Sequence, residues 1–238
     1  QNTAIGYNCL YTQQGANNNV AVGYAVLYDN TTGTLNTGLG LNTLYNNTTG
    51  DGNVAVGYAA LNAPTTTSYN TAIGYQALTA ATTQGNLVAV GAYALDANTT
   101  GANNTAVGYQ ALSANTTADR NTALGYQALN VNTTGTRNTA AGFYALATNS
   151  TANDNTAFGD AALYLNTTGA YNTAVGRAAL SANTTADNNT ALGYSALQAN
   201  TIGNQNTALG RESLYTNVAG DRNVAIGYRS LYVMTRST

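Results

Sequence analysis

Hydrophobic and polar positions recur along this chain with a period of 17 residues. A glycine returns at every seventeenth residue from Gly6 to Gly227, and the 238 residues hold fourteen such repeats without an insertion or a deletion. We number the positions of a repeat from 1 to 17, so that this glycine is position 6 and residues 1–17 are the first repeat. A fixed short period is the signature of a repeat architecture, and we therefore predict a single repeat domain over residues 1–238.

Within each repeat, the residue types predict short strands and a return turn. Position 3 is Thr or Val, position 4 is Ala in thirteen copies, and position 5 is apolar throughout. This alternation predicts a short strand that has positions 3 and 5 on one face and the small Ala on the other. A second short strand is predicted near positions 8 to 11, with the invariant Leu of position 10 pointing inward. The Asn-Thr-Thr-Gly cluster at positions 13 to 16 predicts the return turn.

These elements predict an all-β fold, a parallel β-roll (β-solenoid) of fourteen 17-residue coils. Coils that pair in parallel lie about 4.8 Å apart, so fourteen would form a rod roughly 65 Å long. The Asn of position 2 is expected to form a side-chain amide ladder, and one Leu with one β-branched or apolar residue is expected to fill the interior. The glycine of position 6 is expected to take a positive φ or to leave room for a facing backbone.

Composition and charge exclude several classes of function. The chain has a net charge of −2, only 7% charged residues and no His, so we expect no nucleic-acid partner, no metal, no cofactor and no enzymatic activity. Asp154 and Asp160 are the acidic pair closest in sequence, and they are interpreted as solvated turn residues. Because no apolar run approaches 18 residues, we expect no insertion into a membrane.

Two short phrases carry a resemblance to a known family. Asn19 to Tyr24 read N-V-A-V-G-Y, and Asn223 to Ser230 read N-V-A-I-G-Y-R-S. These phrases resemble the head repeat of trimeric autotransporter adhesins, and the whole repeat is similar to repeats of bacterial surface proteins and phage tail fibres. The resemblance implies a left-handed parallel β-roll in which three chains associate. The coils of that family are commonly shorter, and Thr is usual here where Val is usual there.

The tyrosines of position 7 predict an interface between chains. A 17-residue coil encloses little volume, so the Ala face and the exposed rings need cover from another chain. An interface between identical chains would bury them, which makes self-association, as a homotrimer or a filament, the expected partnership. The candidate interface stripe consists of Tyr7, Tyr24, Tyr58, Tyr75, Tyr109, Tyr126, Tyr194 and Tyr228.

The asparagines of position 13 leave two interpretations open. Eight of them match Asn-x-Ser/Thr, so they could form a surface ladder that accepts glycans, or the adjacent Thr could carry O-linked sugars. Alternatively, Asn and Thr serve only as stacking turn formers, an interpretation that Pro64 at one of these positions favours. The candidate ladder consists of Asn30, Asn47, Asn98, Asn115, Asn132, Asn149, Asn166 and Asn183.

The expected function is structural. We expect the non-enzymatic shaft or head of an extracellular adhesin, a cell-surface fibre or a phage tail fibre, which contacts other copies of itself and a host surface glycan or protein. Open solenoid ends would also promote stacking into a filament. The alternatives are an ice-binding β-solenoid that uses the Thr rows of positions 3, 14 and 15, and a glycan-decorated extracellular fibril. The Val residues interspersed at position 3 indicate that this row faces inward or into an interface.

Overall fold

The protein is an all-β parallel β-solenoid of 17-residue coils in the computed structural model, which describes residues 1–63, 66–83 and 85–233. The chain divides into two compact units, Gln1–Arg120 and Asn121–Thr238. Each unit contains seven strands, one per repeat, and the described residues form no helix. Pro64 and the irregular end of the last repeat from Met234 onward lie outside the described residues.

The strands of both units begin at position 3 of their repeats, and most contain three residues. In the first unit they are β1 (Thr3–Ile5), β2 (Val20–Tyr24), β3 (Thr37–Leu41), β4 (Val54–Val56), β5 (Thr71–Ile73), β6 (Val88–Val90) and β7 (Thr105–Val107). In the second they are β8 (Thr122–Leu124), β9 (Thr139–Ala141), β10 (Thr156–Phe158), β11 (Thr173–Val175), β12 (Thr190–Leu192), β13 (Thr207–Leu209) and β14 (Val224–Ile226).

Neighbouring strands pair in parallel at identical positions of the repeat. Thr156 of β10 lies opposite Thr173 of β11, and Ala157 lies opposite Ala174. The same 17-residue register holds between β1 and β2 in the first unit. Each coil therefore stacks on its own copy, which confirms the coil length predicted from the glycine spacing.

The interior of a coil consists of small and aliphatic side chains. In the tenth repeat, Ala157, Ala162 and Leu163 at positions 4, 9 and 10 are fully buried. Thr156 and Phe158, at positions 3 and 5, lie on the outer face of the strand. The predicted alternation and the inward Leu are confirmed. Two other expectations are wrong: position 3 faces outward and so does not help to fill the interior, and the Ala face, which was expected to need cover from another chain, is itself buried inside the coil.

The asparagine of position 2 braces each coil and joins it to the next. Asn155 is fully buried, and its Nδ2 donates to the carbonyl oxygen of Gly169 at 2.9 Å, across the same coil. Its Oδ1 accepts the backbone N–H of Asn172 in the following coil, also at 2.9 Å. One side chain thus gives hydrogen-bond partners to two buried backbone groups. The alanine side chains of the interior could not supply these partners.

Only glycine fits at position 6. Gly142 has a φ of +143°, and a Cβ atom there would lie 2.4 Å from the carbonyl oxygen of Gly159 in the next coil. Both expectations for this glycine are confirmed, because the backbone is in a conformation that L-residues rarely adopt and faces another backbone at contact distance.

The second predicted strand, at positions 8 to 11, is wrong. This segment turns instead, and Ala161 and Leu163 have φ values of 55° and 52°. The N–H of Ala161 donates to Phe143 in the preceding coil at 2.9 Å, whereas the N–H of Leu163 donates to Ala179 in the following coil at 3.0 Å. The left-handed conformation costs roughly 1–2 kcal/mol per non-glycine residue. Hydrogen bonds to both neighbouring coils and the burial of the Leu side chain offset this cost.

Candidate functional surface

An outward row of aliphatic side chains is the first feature that could bind a partner. Positions 3 and 5 together form what we call the strand face. Leu192 and Leu209 are 44% and 41% exposed there, with threonines of position 3 beside them. Large exposed apolar patches on soluble proteins mark interaction sites. The more exposed members of the position-5 row are Ile5, Leu39, Ile73, Val107, Leu124, Phe158, Leu192, Leu209 and Ile226.

The position-3 row faces outward, which excludes one of the two orientations considered for it. The sequence indicated that this row faces either inward or into an interface. Val20 and Val54 are 39% and 37% exposed, so the inward alternative is wrong. Cover of this row by another chain is part of the proposal made below.

The predicted tyrosine stripe lies beside the strand face, at position 7. All eight of its tyrosines are exposed in the isolated chain. Consecutive rings stack on one another, with centroids 5.2 Å apart for Tyr7 and Tyr24 and 5.0 Å apart for Tyr58 and Tyr75. Stacked rings cover one another's faces, so the exposed surface of the row consists of ring edges and hydroxyl groups. The role of the stripe in an interface stays a prediction.

A second tyrosine row lies at position 11. Tyr28 stacks between Tyr11 and Tyr45, at 4.9 Å from each ring centroid. Loss of hydration raises the pKa of Tyr28 above its ordinary value, and the neighbouring Tyr11 and Tyr45 raise it further. These rings therefore pack as a partly desolvated ladder on a side of the coil different from the strand face.

The predicted surface ladder of position 13 is wrong, because these asparagines lie inside the coil. All eight are fully buried, namely Asn30, Asn47, Asn98, Asn115, Asn132, Asn149, Asn166 and Asn183. The Nδ2 of Asn149 donates to Oδ1 of Asn132 at 2.9 Å and to the carbonyl of Ala152 at 3.1 Å. An amide nitrogen that donates twice within the fold is not open to a glycan-transferring enzyme. The interpretation of these residues as stacking turn formers accounts for the geometry.

The two threonine rows of the turn differ in exposure. At position 14, the hydroxyl of Thr167 donates to the backbone carbonyl of Thr184 in the next coil at 3.0 Å, and Thr184 repeats this contact with Thr201 at 3.1 Å. At position 15, Thr168 and Thr185 are exposed. The position-14 hydroxyls thus hold coils together, and the position-15 row is the part of the turn that a ligand or a modifying enzyme could reach.

The acidic side chains lie apart from one another. Asp154 pairs with Arg137, whose Nε is 2.7 Å from its Oδ1, and this arginine holds the pKa of Asp154 below its usual range. Asp160 lies instead near Arg177, at 3.7 Å. Over the described part of the chain, no three His, Cys, Asp or Glu side chains come together as a metal site would require. A search of the same residues for an apolar helix of membrane-spanning length finds none.

One cluster was missed by the sequence analysis. Arg177 and Arg211 replace the usual tyrosine of position 7, and Arg229 occupies position 8 two repeats after Tyr194. In the structure the carboxylate of Glu212 lies 3.1 Å from Arg211 and 2.6 Å from Arg229, and Arg177 lines the same groove as Glu212. Three of the seven arginines of the chain therefore meet on one side of the last four repeats. The signal was the loss of tyrosine at position 7, which a search for consensus residues passes over.

Comparison of this chain with protein-family models, with curated proteins and with solved structures finds no match. A functional assignment therefore depends on the chemistry of the surfaces described above. The strand face recurs in every repeat, the tyrosine rows occur in about half of the repeats, and the arginine cluster is confined to the last four.

Proposed function

We propose that this protein is a non-enzymatic structural element, the shaft or head of an extracellular adhesin, a surface fibre or a phage tail fibre, in which copies of the chain associate through the strand face. The exposed aliphatic row carries this proposal. The solvent-facing side of an ordinary sheet carries polar residues, whereas here the outward-facing position 5 is apolar in every repeat. Such a row binds another apolar face whose residues recur in the same register.

Self-association is favoured over an unrelated partner because the row repeats. To cover the whole row, a partner needs apolar residues that recur with the same spacing from coil to coil. A second copy of the chain has this 17-residue period. Stable interfaces bury about 800 Å² per partner and carry an apolar core, enriched in aromatic residues, inside a polar rim. The strand face with the tyrosine stripe beside it has this composition. The resemblance to trimeric head repeats supports three chains as the number.

Charge substitutions on the strand face test the proposal. Leu192→Asp together with Leu209→Asp places two carboxylates at the centre of the proposed interface without changing a buried residue. We expect the association constant, measured by sedimentation equilibrium, to fall at least tenfold because the carboxylates lose hydration when chains meet. The matched control is Ile202→Asp, which changes an equally exposed apolar residue of position 15 and leaves association intact. A wild-type chain that stays monomeric, or equal association of both variants, would overturn the proposal.

Ice binding is the second candidate, and one observation favours it. The threonines of position 3 face outward in strict register on successive strands, as in Thr173, Thr190 and Thr207. Regular outward Thr rows can order water in a lattice-like pattern. The test is thermal hysteresis of the purified chain near its freezing point. Hysteresis that a Thr190→Tyr substitution abolishes would support ice binding, and freezing at the bulk temperature would exclude it.

A further inference from the structure

A groove of about 320 Å³ opens on the outer surface of the last four repeats. It runs between the position-7 row and the position-11 row, and every residue that lines it belongs to the second unit. Arg177 and Tyr194 lie on the first side, Tyr215 and Tyr232 lie on the second, and Glu212 and Arg229 are at position 8 between them. Its volume lies at the small end of the range for ligand pockets, roughly 300–1,000 Å³.

The sequence opens this groove by placing small residues at position 8. Ala178 and Ser195 occupy that position in the eleventh and twelfth repeats. In the ninth repeat the same position is Tyr144, whose ring packs edge-on against Tyr126 and Tyr164 at 5.5 and 5.8 Å, that is, against both bordering rows. A large side chain at position 8 therefore fills the space that Ala178 and Ser195 leave open. The groove is a local departure from the repeat and not a property of every coil.

The groove carries positive charge in an acidic protein. Arg177, Arg211 and Arg229 face Glu212 and the more distant Asp160, so three positive charges against two negative ones leave +1, whereas the whole chain has −2. The side chains of Arg177 and Arg229 remain 62% and 51% exposed despite these pairs. The pair of Arg177 with Asp160 is exposed on both sides and contributes little, so Arg177 is able to exchange this contact for a ligand's carboxylate. Arg229 keeps its contact with the buried Glu212 and offers its other N–H groups to the ligand.

Aromatic rings are held between these charges. Arg177 and Arg211 lie over the ring of Tyr194 at 5.7 and 5.4 Å from its centroid, and Arg229 lies over Tyr232 at 5.0 Å. These contacts fix the orientation of the rings and of the guanidinium planes before any ligand arrives. Tyrosine presents a flat apolar face with a polar hydroxyl at its end. In Tyr194 the two guanidinium groups cover this face, and the ring of Tyr232 lies between Arg229 and the stacked ring of Tyr215. A ligand in the groove therefore meets the edges and the hydroxyl groups of these rings, which can hydrogen-bond to the hydroxyl groups of a sugar.

From this arrangement we propose that the groove binds an acidic oligosaccharide, a chain of sugars that bears carboxylate groups. The arginines bind the carboxylates, and the hydroxyl groups of Tyr194 and Tyr232, together with Ser195 and Gln198, meet the hydroxyl groups of the sugars. Arg177 and Arg229 are three coils apart, which is about 14 Å at the usual strand spacing and matches two to three sugar units. A single-stranded nucleic acid needs a continuous basic track, and the net negative charge of the chain disfavours it.

The site does not depend on the association of chains. None of the residues that line the groove belongs to the strand face, since they occupy positions 7, 8 and 11. Cover of positions 3 and 5 alone therefore leaves the groove open, whereas an interface that extends over the tyrosine stripe would reach only its edge at Tyr194. Failure of the ligand experiment would leave the proposed structural role untouched, and a monomeric chain would leave the groove as it is.

The experiment titrates the full chain with trigalacturonic acid, a linear carboxylated trisaccharide, and with neutral maltotriose, by isothermal calorimetry and ligand-observed NMR. We expect saturable binding of the acidic sugar that weakens as salt rises, and at least tenfold weaker binding of the neutral one. No saturable binding, equal binding of the two sugars, or tighter binding of an oligothymidylate would overturn the proposal.

Two variants drawn from the repeat itself locate the site. Ala178→Gln with Ser195→Gln fills the groove with the residue that the fold already accepts at position 8 as Gln76. Arg177→Tyr restores the usual residue of position 7. Both should reduce affinity for the acidic sugar at least tenfold, whereas Ala59→Gln, the same change at position 8 of the fourth repeat, should leave it unchanged. Equal affinity in all variants would place binding elsewhere.

Discussion

Removal of one buried asparagine tests whether the position-2 ladder holds the coils together. In Asn155→Ala, the N–H of Asn172 loses its acceptor at 2.9 Å, and the carbonyl of Gly169 loses one of two donors. A hydrogen bond contributes about 0.5–1.5 kcal/mol net, and a buried donor without a partner costs about 1–3 kcal/mol. Because Asn166 still donates to Gly169, the larger loss is at Asn172. The expected destabilisation is about 2–4 kcal/mol.

The assay combines urea denaturation followed by circular dichroism with amide hydrogen exchange. We expect a lower urea midpoint for Asn155→Ala, and exchange at the Asn172 amide that accelerates more than at amides several coils away. The matched control is Thr168→Ala in the same repeat, an exposed side chain whose loss should cost less than about 0.5 kcal/mol. If Asn155→Ala and Thr168→Ala had equal midpoints and equal protection at Asn172, the ladder would not carry the stability assigned to it.

Substitutions at three further positions probe the glycine, the leucine and the charged cluster. Gly142→Ala should destabilise by at least about 3 kcal/mol, measured by urea denaturation, because the new Cβ would meet the Gly159 carbonyl in a conformation unfavourable for alanine. Leu163→Ala should cost about 2–5 kcal/mol and Leu163→Met less than about 1.5 kcal/mol in the same assay, because only the first leaves a cavity. Arg229 lowers the pKa of Glu212 below its ordinary value of 4.5, so the carboxylate stabilises the fold above that pH. The stability advantage of the wild type over Glu212→Gln should therefore be full at neutral pH and vanish as the pH falls through the lowered pKa, in a urea midpoint series.

The stacking and the inside of each coil could be predicted from the sequence. An unbroken 17-residue period requires every residue to lie on its own copy, and the register of Thr156 with Thr173 follows from it. The alternation of Thr156, Ala157 and Phe158 assigned the faces of the strand, because successive strand residues point to opposite sides. The invariant Leu of position 10 was placed inside for its hydrophobicity alone.

The left-handed residues could not be predicted in the same way. Asn103 and Asn188 at position 1 are of the type that tolerates a positive φ, but Leu35, Tyr171 and the leucines of position 10 adopt it as well. Nothing in a leucine side chain signals this conformation. It is imposed by backbone hydrogen bonds to the coils on both sides, which exist only after stacking.

The candidate surfaces, like the fold, could be predicted only in part. The eight tyrosines of position 7 are exposed, as an interface stripe requires, but other residues interrupt the row in six repeats, and its role in an interface stays a prediction. The asparagines of position 13 were placed on the surface, since Asn is a common turn residue, and the chain instead buries Asn132 and Asn149 to satisfy turn carbonyls. The groove depends on Ala178 and Ser195, two small residues whose significance appears only beside the large ones of other coils.

The absolute mass of the wild-type chain in solution tests the central claim most directly. Multi-angle light scattering on a size-exclusion column gives this mass without assumptions about shape. The account predicts a stable mass of three chains of 24.3 kDa, in which the strand face of each chain is covered. A mass of one chain across the whole range of concentrations would contradict it, because the aliphatic row would then face water on every copy.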